Sequence, residues 1–368
     1  MNKSTNTNQT SWDIFCRVVD NFGDIGVCWR LAKQLHDEYA LDIRLWVYDL
    51  NIASKIVTDL DASLNRQQVN GVEVCLWKDD ASFANISPAD VVIEAFACEL
   101  PKLYIQHMIA KKPIWLNLEY LSAESWVDDF HAKSAIHPAT GLSKTFFFPG
   151  FTDKTGGLIR EQNLIAQRDA AKAQMKRLPS IQVSLFCYPH APIQSLLQAM
   201  TESMRPVECF VPTGSSLGKI AEFFGLTQMK VGDTFKKAQL TLTVLPFLTQ
   251  AEYDQLLWCC DLNFVRGEDS WIRALWSANP FIWQTYPQDD KHHLKKLDAF
   301  LGKYEVQADH VLSEFHHAWL DAEISPALWN KLIVALPTLK THAELQTHKF
   351  EQQADLAAKL VIFTKNKV

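Results

Sequence analysis

The chain has 368 residues, 48% of them hydrophobic, and its 36 Lys and Arg against 42 Asp and Glu give a formal net charge of −6 and a pI near 6.1. That length suits two domains better than one, and the apolar content is ample for two cores, which excludes a disordered chain. The acidic balance excludes broad nucleic-acid binding, so any phosphate group the protein handles must meet a local site.

The eight cysteines form no metal-like C-x-x-C pair and sit mostly in apolar runs. They read as buried free thiols of a reducing compartment. The start, MNKSTNTNQTS, lacks the apolar core of a signal peptide, and no segment is long enough to span a bilayer. A soluble, cytoplasmic protein is the expectation.

In chain order, residues 12–19 predict a buried strand and 26–39 a helix. Between them, Asp20-Asn21-Phe22-Gly23-Asp24-Ile25-Gly26 makes a glycine-containing turn, a standard ligand position in an α/β protein. Its acids, Asp20 and Asp24, are also residue types that turns and N-caps favour, and the stretch alone leaves both readings open. Residues 42–48, 72–77, 90–96, 113–118 and 144–148 read as further strands. Strands alternating with helices over 150 residues imply a mostly parallel sheet covered on both faces. Glu94, Glu99 and Glu119 fall at strand ends, the rim where such sheets bind ligands. The triplet Asp59-Leu60-Asp61 matches a metal-holding D-x-D in form but lacks a preceding strand, and reads as a surface face.

Residues 161–178 are polar and helix-prone, and Pro179 breaks the pattern, which puts the domain boundary near Ser180. A second set of strands follows at 181–188, 206–211, 240–245, 262–265 and 280–283, so the second half repeats the architecture of the first. No G-x-G-x-x-G follows either first strand, which removes the phosphate fingerprint of a dinucleotide cofactor. Gly214-Ser215-Ser216-Leu217-Gly218-Lys219 has one residue too few between its glycines for a P-loop and reads as a turn with a cap. The pairs His292-His293 and His316-His317 are adjacent and do not share a helix face for a metal.

Two later stretches are more pointed. Pro246-Phe247-Leu248-Thr249-Gln250 follows a strand directly, and Arg266-Gly267-Glu268-Asp269-Ser270 ends one and opens a helix. Such a turn presents backbone N–H groups and a positive helix end to an anion, with Arg266 and the Ser270 hydroxyl as additions. Asp269 and Ser270 are also good N-caps. The crowding of Arg, Glu, Asp and Ser at the mouth of a buried strand favours a diphosphate site.

D-N-F-G-D-I-G (20–26), I-E-A-F-A-C-E-L-P (93–101), L-N-L-E-Y-L-S-A-E (116–124), T-G-G-L-I-R (155–160), R-G-E-D-S (266–270) and Y-P-Q-D (286–289) occur in that order. Together they resemble the bacterial EarP family, protein-arginine rhamnosyltransferases that modify translation elongation factor P. The likeness runs from residue 14 to about residue 300. It implies an α/β chain of GT-B architecture, two Rossmann-like domains facing across a cleft. The expected domains are 1–179, joined by a C-terminal helix at about 350–368, on the acceptor side, and 180–349 on the donor side. The resemblance implies inverting transfer from dTDP-β-L-rhamnose, a co-substrate, to one arginine of elongation factor P, with no cofactor and no metal. By motif, Asp24 is the expected general base, Asp20 its neighbour and Glu268 a third acid. Asn21, Phe22, Gly23, Phe186, Tyr188, Phe247, Gln250, Arg266, Gly267, Asp269 and Ser270 are the expected substrate-binding residues. The alternatives are another GT-B enzyme with a different nucleotide sugar, a non-catalytic nucleotide-sugar or translation-factor binding protein, and, less well supported, an NAD-dependent oxidoreductase.

Overall fold

The computed structural model describes residues 10–17, 22–176, 178–288, 291–304, 310–321 and 323–367. The chain forms two compact units, Met1–Gln162 with Gln353–Val368, and Asn163–Gln352.

The first unit is built on a sheet whose strands in chain order are β1 (Ser11–Cys16), β2 (Asp42–Val47), β3 (Arg66–Val69), β4 (Val72–Leu76), β5 (Val91–Ala95), β6 (Ile114–Leu118), β7 (Ser134–Ile136) and β8 (Ser143–Phe147). They lie in the order β3-β4-β2-β1-β5-β6-β8-β7. The six inner strands pair in parallel, while β3 and β7 add on antiparallel at the edges. The inner strands match the sequence reading. The edge strands were not predicted, because R-Q-Q-V and S-A-I carry no buried run. Short, polar or exposed strands are the usual way to close a sheet edge.

One buried acid ties this unit together. Asp13, with no exposed surface, accepts from Arg44 Nε and Nη2 at 2.6 Å each, from Trp46 Nε1 and Ala89 N at 3.0 Å, and from the Tyr104 hydroxyl. A carboxylate buried this way is tolerable only when paired and fully hydrogen-bonded. Above it Phe15 packs edge-on against Tyr104 at 4.8 Å and stacks on Trp46 at 5.7 Å, which locks β1 at the sheet centre.

The second unit has β9 (Ile181–Leu185), β10 (Val207–Pro212), β11 (Thr234–Lys237), β12 (Leu240–Leu245), β13 (Leu262–Arg266) and β14 (Phe281–Gln284), in the order β11-β12-β10-β9-β13-β14. All pair in parallel except β11, an antiparallel edge. The helices Gln250–Cys259 and Asp269–Trp276 are joined by a buried ion pair, Arg273 to Asp254, with contacts of 2.8 and 2.6 Å.

The boundary expected near Ser180 is corrected. The helix Leu164–Gln174 belongs to the second unit: Arg168 Nη1 donates to Trp276 O at 3.0 Å and Lys172 Nζ to Asn279 Oδ1 at 2.9 Å. Its few buried residues, Leu164 and Arg168, leave a polar, helix-prone sequence with no sign of which unit it joins. The chain changes units after Gln162 and returns at Gln353.

The returning helix, Leu356–Lys365, is capped by Asp355, which accepts from Ala358 N at 3.0 Å. Its seat is the T-G-G-L-I-R stretch. Leu158 O accepts from Leu356 N at 2.9 Å, and Thr155 O from Lys359 Nζ at 2.8 Å. Gly157 has φ +74°, and a Cβ there would lie 2.5 Å from Ala354 O, so only glycine fits. This motif therefore builds the fold of the first unit.

Replacing Asp13 with Ala leaves five donors without their acceptor. The expected loss is about 3–5 kcal/mol of unfolding free energy, read from urea denaturation followed by tryptophan fluorescence. A loss under about 1 kcal/mol would contradict a central role for this acid.

Candidate active site

In each sheet the chain leaves its first strand in one direction and later returns to that strand's other side. The resulting switch point lies between β1 and β5 in the first unit and between β9 and β13 in the second. Ligands of open α/β sheets bind at the carboxyl ends of the strands beside such a point.

In the first unit that place is the start of the helix Gly23–Tyr39. No side chain caps this helix at Phe22, and Asp24 is its second residue, so the capping reading does not account for Asp24. Its side chain is only 2% exposed, and its Oδ1 accepts from the Tyr120 hydroxyl at 3.2 Å. A carboxylate in the first helical turn is favoured by the helix dipole, which offsets part of the desolvation cost. Tyr120 follows β6, and its ring stacks on Phe96, which follows β5, at 4.4 Å and 17°. Phe22 and Gly23 are half-buried at the same helix start, while Asp20 and Asn21 lie outside the described residues.

The other acids at this rim differ in role. Glu94 is buried and saturated, accepting from Glu99 N, Trp115 Nε1 and Lys144 Nζ at 3.1 Å each. It is a structural pair that fastens β5 to β6 and β8. Burial holds the Glu119 carboxyl above its ordinary pKa, opposed by the amide of Asn117, which donates to it at 2.5 Å.

In the second unit, Arg266 ends β13 and its guanidinium lies 4.4 Å over the ring of Phe186 and 4.5 Å over that of Tyr188. Both rings follow β9, so the cation is held by aromatic faces at the switch point. Gly267 then turns the chain with φ +60°, Glu268 occupies the cap position and Asp269 begins the helix Asp269–Trp276. The Ser270 hydroxyl accepts from Arg266 N at 3.0 Å and donates to Arg266 O. In this structure that hydroxyl closes its own turn. The positive features of the loop are Arg266 and the helix N-terminus.

Further residues complete this rim. Gln284 Oε1 accepts from Tyr188 N at 2.7 Å, so its amide NH₂ faces His190 Nε2 at 3.1 Å. Burial, with Lys219, His293 and Arg266 nearby, holds His190 below its ordinary pKa. Trp283 Nε1 donates to Gly267 O at 2.7 Å and fixes the turn. Phe247 is exposed, and Gln250 opens the helix Gln250–Cys259 behind the capping box of Thr249 and Glu252. Sequence reasoning assigned no role to Tyr120, Phe96, Gln284 or His190. The positions of Phe96 and Tyr120 just past strand ends, and of Gln284 at the end of β14, were the available signal.

The remaining motifs are structural. Asp61 accepts from Ser63 N at 2.9 Å in an exposed turn. Ser216 occupies the cap position of the short helix Leu217–Phe223. His316 is buried, accepts from Trp283 N at 3.0 Å, and is held at a pKa of about 4 by that burial. Among the described residues no three His, Cys, Asp or Glu side chains cluster as a metal site, and no helix is long and apolar enough to cross a membrane. Seven of the cysteines are buried and Cys259 is exposed, all as free thiols.

The sequence model of the elongation-factor P (EF-P) rhamnosyltransferase EarP family matches residues 12–365. The protein-arginine rhamnosyltransferase of Pseudomonas putida is 43% identical over 378 residues, covering 97% of this chain and 99% of its own. That of Pseudomonas aeruginosa is 42% identical over 372 residues, covering 96% and 98%. A structure solved to give the structural basis for EarP-mediated arginine glycosylation of translation elongation factor EF-P matches with a TM-score of 0.69 at 30% identity, over 98% of this chain and 100% of that one. MurG of Acinetobacter baumannii matches with a TM-score of 0.55 over 98% and 100%, and at 11% identity it bears on the fold alone. The chain belongs to the EarP family of protein-arginine rhamnosyltransferases, glycosyltransferases of the GT-B fold.

Proposed function

We propose that this enzyme moves rhamnose from dTDP-β-L-rhamnose to one arginine side chain of translation elongation factor P, with inversion at C1 and without a metal or cofactor. The second unit is the donor side and the first the acceptor side. The observation that carries this reading is Asp24: a carboxylate only 2% exposed, in a first helical turn at a sheet's switch point. The relatives' names support the arginine acceptor, and the structural relative's study of EF-P supports the protein partner. A cytoplasmic setting fits that partner.

Transfer makes C1 of the sugar electron-poor as the diphosphate leaves. Arg266 and the N-terminus of the helix Asp269–Trp276 supply positive charge for the leaving group, the service a metal gives elsewhere. Phe247 and Gln250, between β12 and the first residue of the helix Gln250–Cys259, are assigned to the base of the nucleotide, with Phe186 and Tyr188 beside the diphosphate. Asp269 and Gly267 shape the loop, and Ser270 holds it closed. Phe22 and Gly23, half-buried at the start of the helix Gly23–Tyr39, are assigned to the acceptor side.

The nucleophile sets the harder constraint. A guanidinium with a pKa of roughly 12.5–13.8 costs about 8 kcal/mol or more to deprotonate at pH 7. Neighbouring carboxylates increase that cost, since they stabilise the cation. The acids therefore do not work by making neutral arginine in advance. Asp24 orients the planar fork, a geometry suited to carboxylates. Asp24 then takes the proton as the C–N bond forms and the attacking nitrogen becomes acidic.

Two measurements test this. Elongation factor P incubated with the enzyme and dTDP-β-L-rhamnose is expected to gain one deoxyhexose on one arginine, with or without a chelator, by peptide mass spectrometry. No gain, or a gain that the chelator abolishes, would overturn the assignment. Arg266→Ala is expected to weaken dTDP binding about tenfold or more by calorimetry while the protein stays folded. Unchanged affinity would remove Arg266 from the donor site.

A further inference from the structure

Basic side chains from separate elements of the second unit come near His190: Lys219 from the helix Leu217–Phe223, His293 from the helix His292–Tyr304, and Arg266 from the end of β13. The imidazole is exposed, and it stacks on Tyr188 at 5.5 Å and 13°. The same Tyr188 ring carries Arg266 at 4.5 Å. Hydrogen bonds fix where the proton of this imidazole sits. Tyr188 N is a backbone donor, so the Gln284 atom 2.7 Å from it is the side-chain oxygen. The other end of that amide is then NH₂, a donor only, and it lies 3.1 Å from His190 Nε2. Nε2 must accept. The proton of the ring is therefore on Nδ1, and a second proton on Nε2 would face the amide NH₂. Turning the amide over would set its NH₂ against Tyr188 N–H instead. Gln284 is 1% exposed, and its backbone oxygen also takes Gly267 N at 3.2 Å. Among the described residues, Nδ1 of His190 makes no hydrogen bond.

We propose that His190 is a donor-site residue, whose Nδ1–H donates a hydrogen bond to the diphosphate of the nucleotide sugar as the sugar departs. This rests on the reading of the second unit as the donor side. The setting suits such a ligand. Arg266, Lys219 and the N-terminus of the helix Asp269–Trp276 all favour an anion. Burial and the basic neighbours hold the imidazole below its ordinary pKa, in agreement with the tautomer that Gln284 imposes. A neutral ring adds a donor without adding charge that the empty site would have to carry beside other cations. Neutral imidazoles serve in this way at other active sites whose surroundings keep them unprotonated. Giving up the Nδ1 proton would leave an imidazolate, so His190 does not act as an acid. The leaving diphosphate keeps its charge and is stabilised by hydrogen bonds and nearby cations.

The test is calorimetry of the full chain with dTDP and with thymidine, comparing His190→Phe and His190→Asn with wild type. Phe keeps a ring on Tyr188 and loses Nδ1–H, so dTDP binds about tenfold more weakly. Asn restores an N–H donor close to the place of Nδ1, and dTDP affinity stays within about threefold of wild type. Thymidine has no phosphate, and its affinity is the same in all three proteins. Unchanged dTDP affinity in His190→Phe, an equal loss for thymidine, or an equal loss in His190→Asn would overturn the assignment. So would a nitrogen-15 spectrum of the wild-type protein that puts the His190 proton on Nε2, a measurement that needs no variant. If wild type binds no dTDP, the donor reading itself fails. Titration with pyrophosphate then decides the role of His190 alone: binding about tenfold weaker in His190→Phe supports the anion contact, and unchanged or absent binding rejects it.

Discussion

A parallel strand that runs straight into a helix leaves polar groups at one edge of its sheet, and this protein has two sheets built that way. The first turn of a helix has N–H groups with no acceptor inside the helix, and its dipole adds positive character. The chemically suggestive side chains among the described residues lie at such edges. Asp24 and Tyr120 sit at the rim of the first unit, and Arg266 with its aromatic supports at the rim of the second. Each set depends on central strands that cannot shift, which is what the Asp13 network and the Arg273–Asp254 pair secure.

The two rims use charge differently. In the second unit the cation is the protein's own, Arg266 at the end of β13, and it lies over two aromatic rings. In the first unit the protein's own charge is an anion, and the cation in the proposed reaction belongs to the acceptor. A buried carboxylate is costly when it stands alone, and the Tyr120 hydroxyl lowers that cost for Asp24.

Much of this was legible in the sequence, and the misses have physical causes. The inner strands could be read from their apolar runs because parallel strands are buried on both faces. The edge strands could not, since R-Q-Q-V and S-A-I have the composition of loops. The boundary was misplaced because the helix Leu164–Gln174 buries little, and its attachment runs through Arg168 and Lys172, which look like surface residues in a sequence. Motif order pointed to Asp24, Arg266 and Ser270, but spacing carries no information about rotamers. The Ser270 hydroxyl turned back on its own loop, and the stacking of Phe96 under Tyr120 across two strands, appear only in three dimensions.

The account depends most on one side chain accepting one proton. Asn in place of Asp24 keeps the shape and the contact with Tyr120 but removes the basic oxygen. The decisive measurement is the single-turnover rate of sugar transfer to elongation factor P by Asp24→Asn, with melting temperature and dTDP affinity measured in parallel. A rate lowered about 100-fold or more, with fold and donor binding unchanged, is the expected result. A rate within about threefold of wild type would contradict the account.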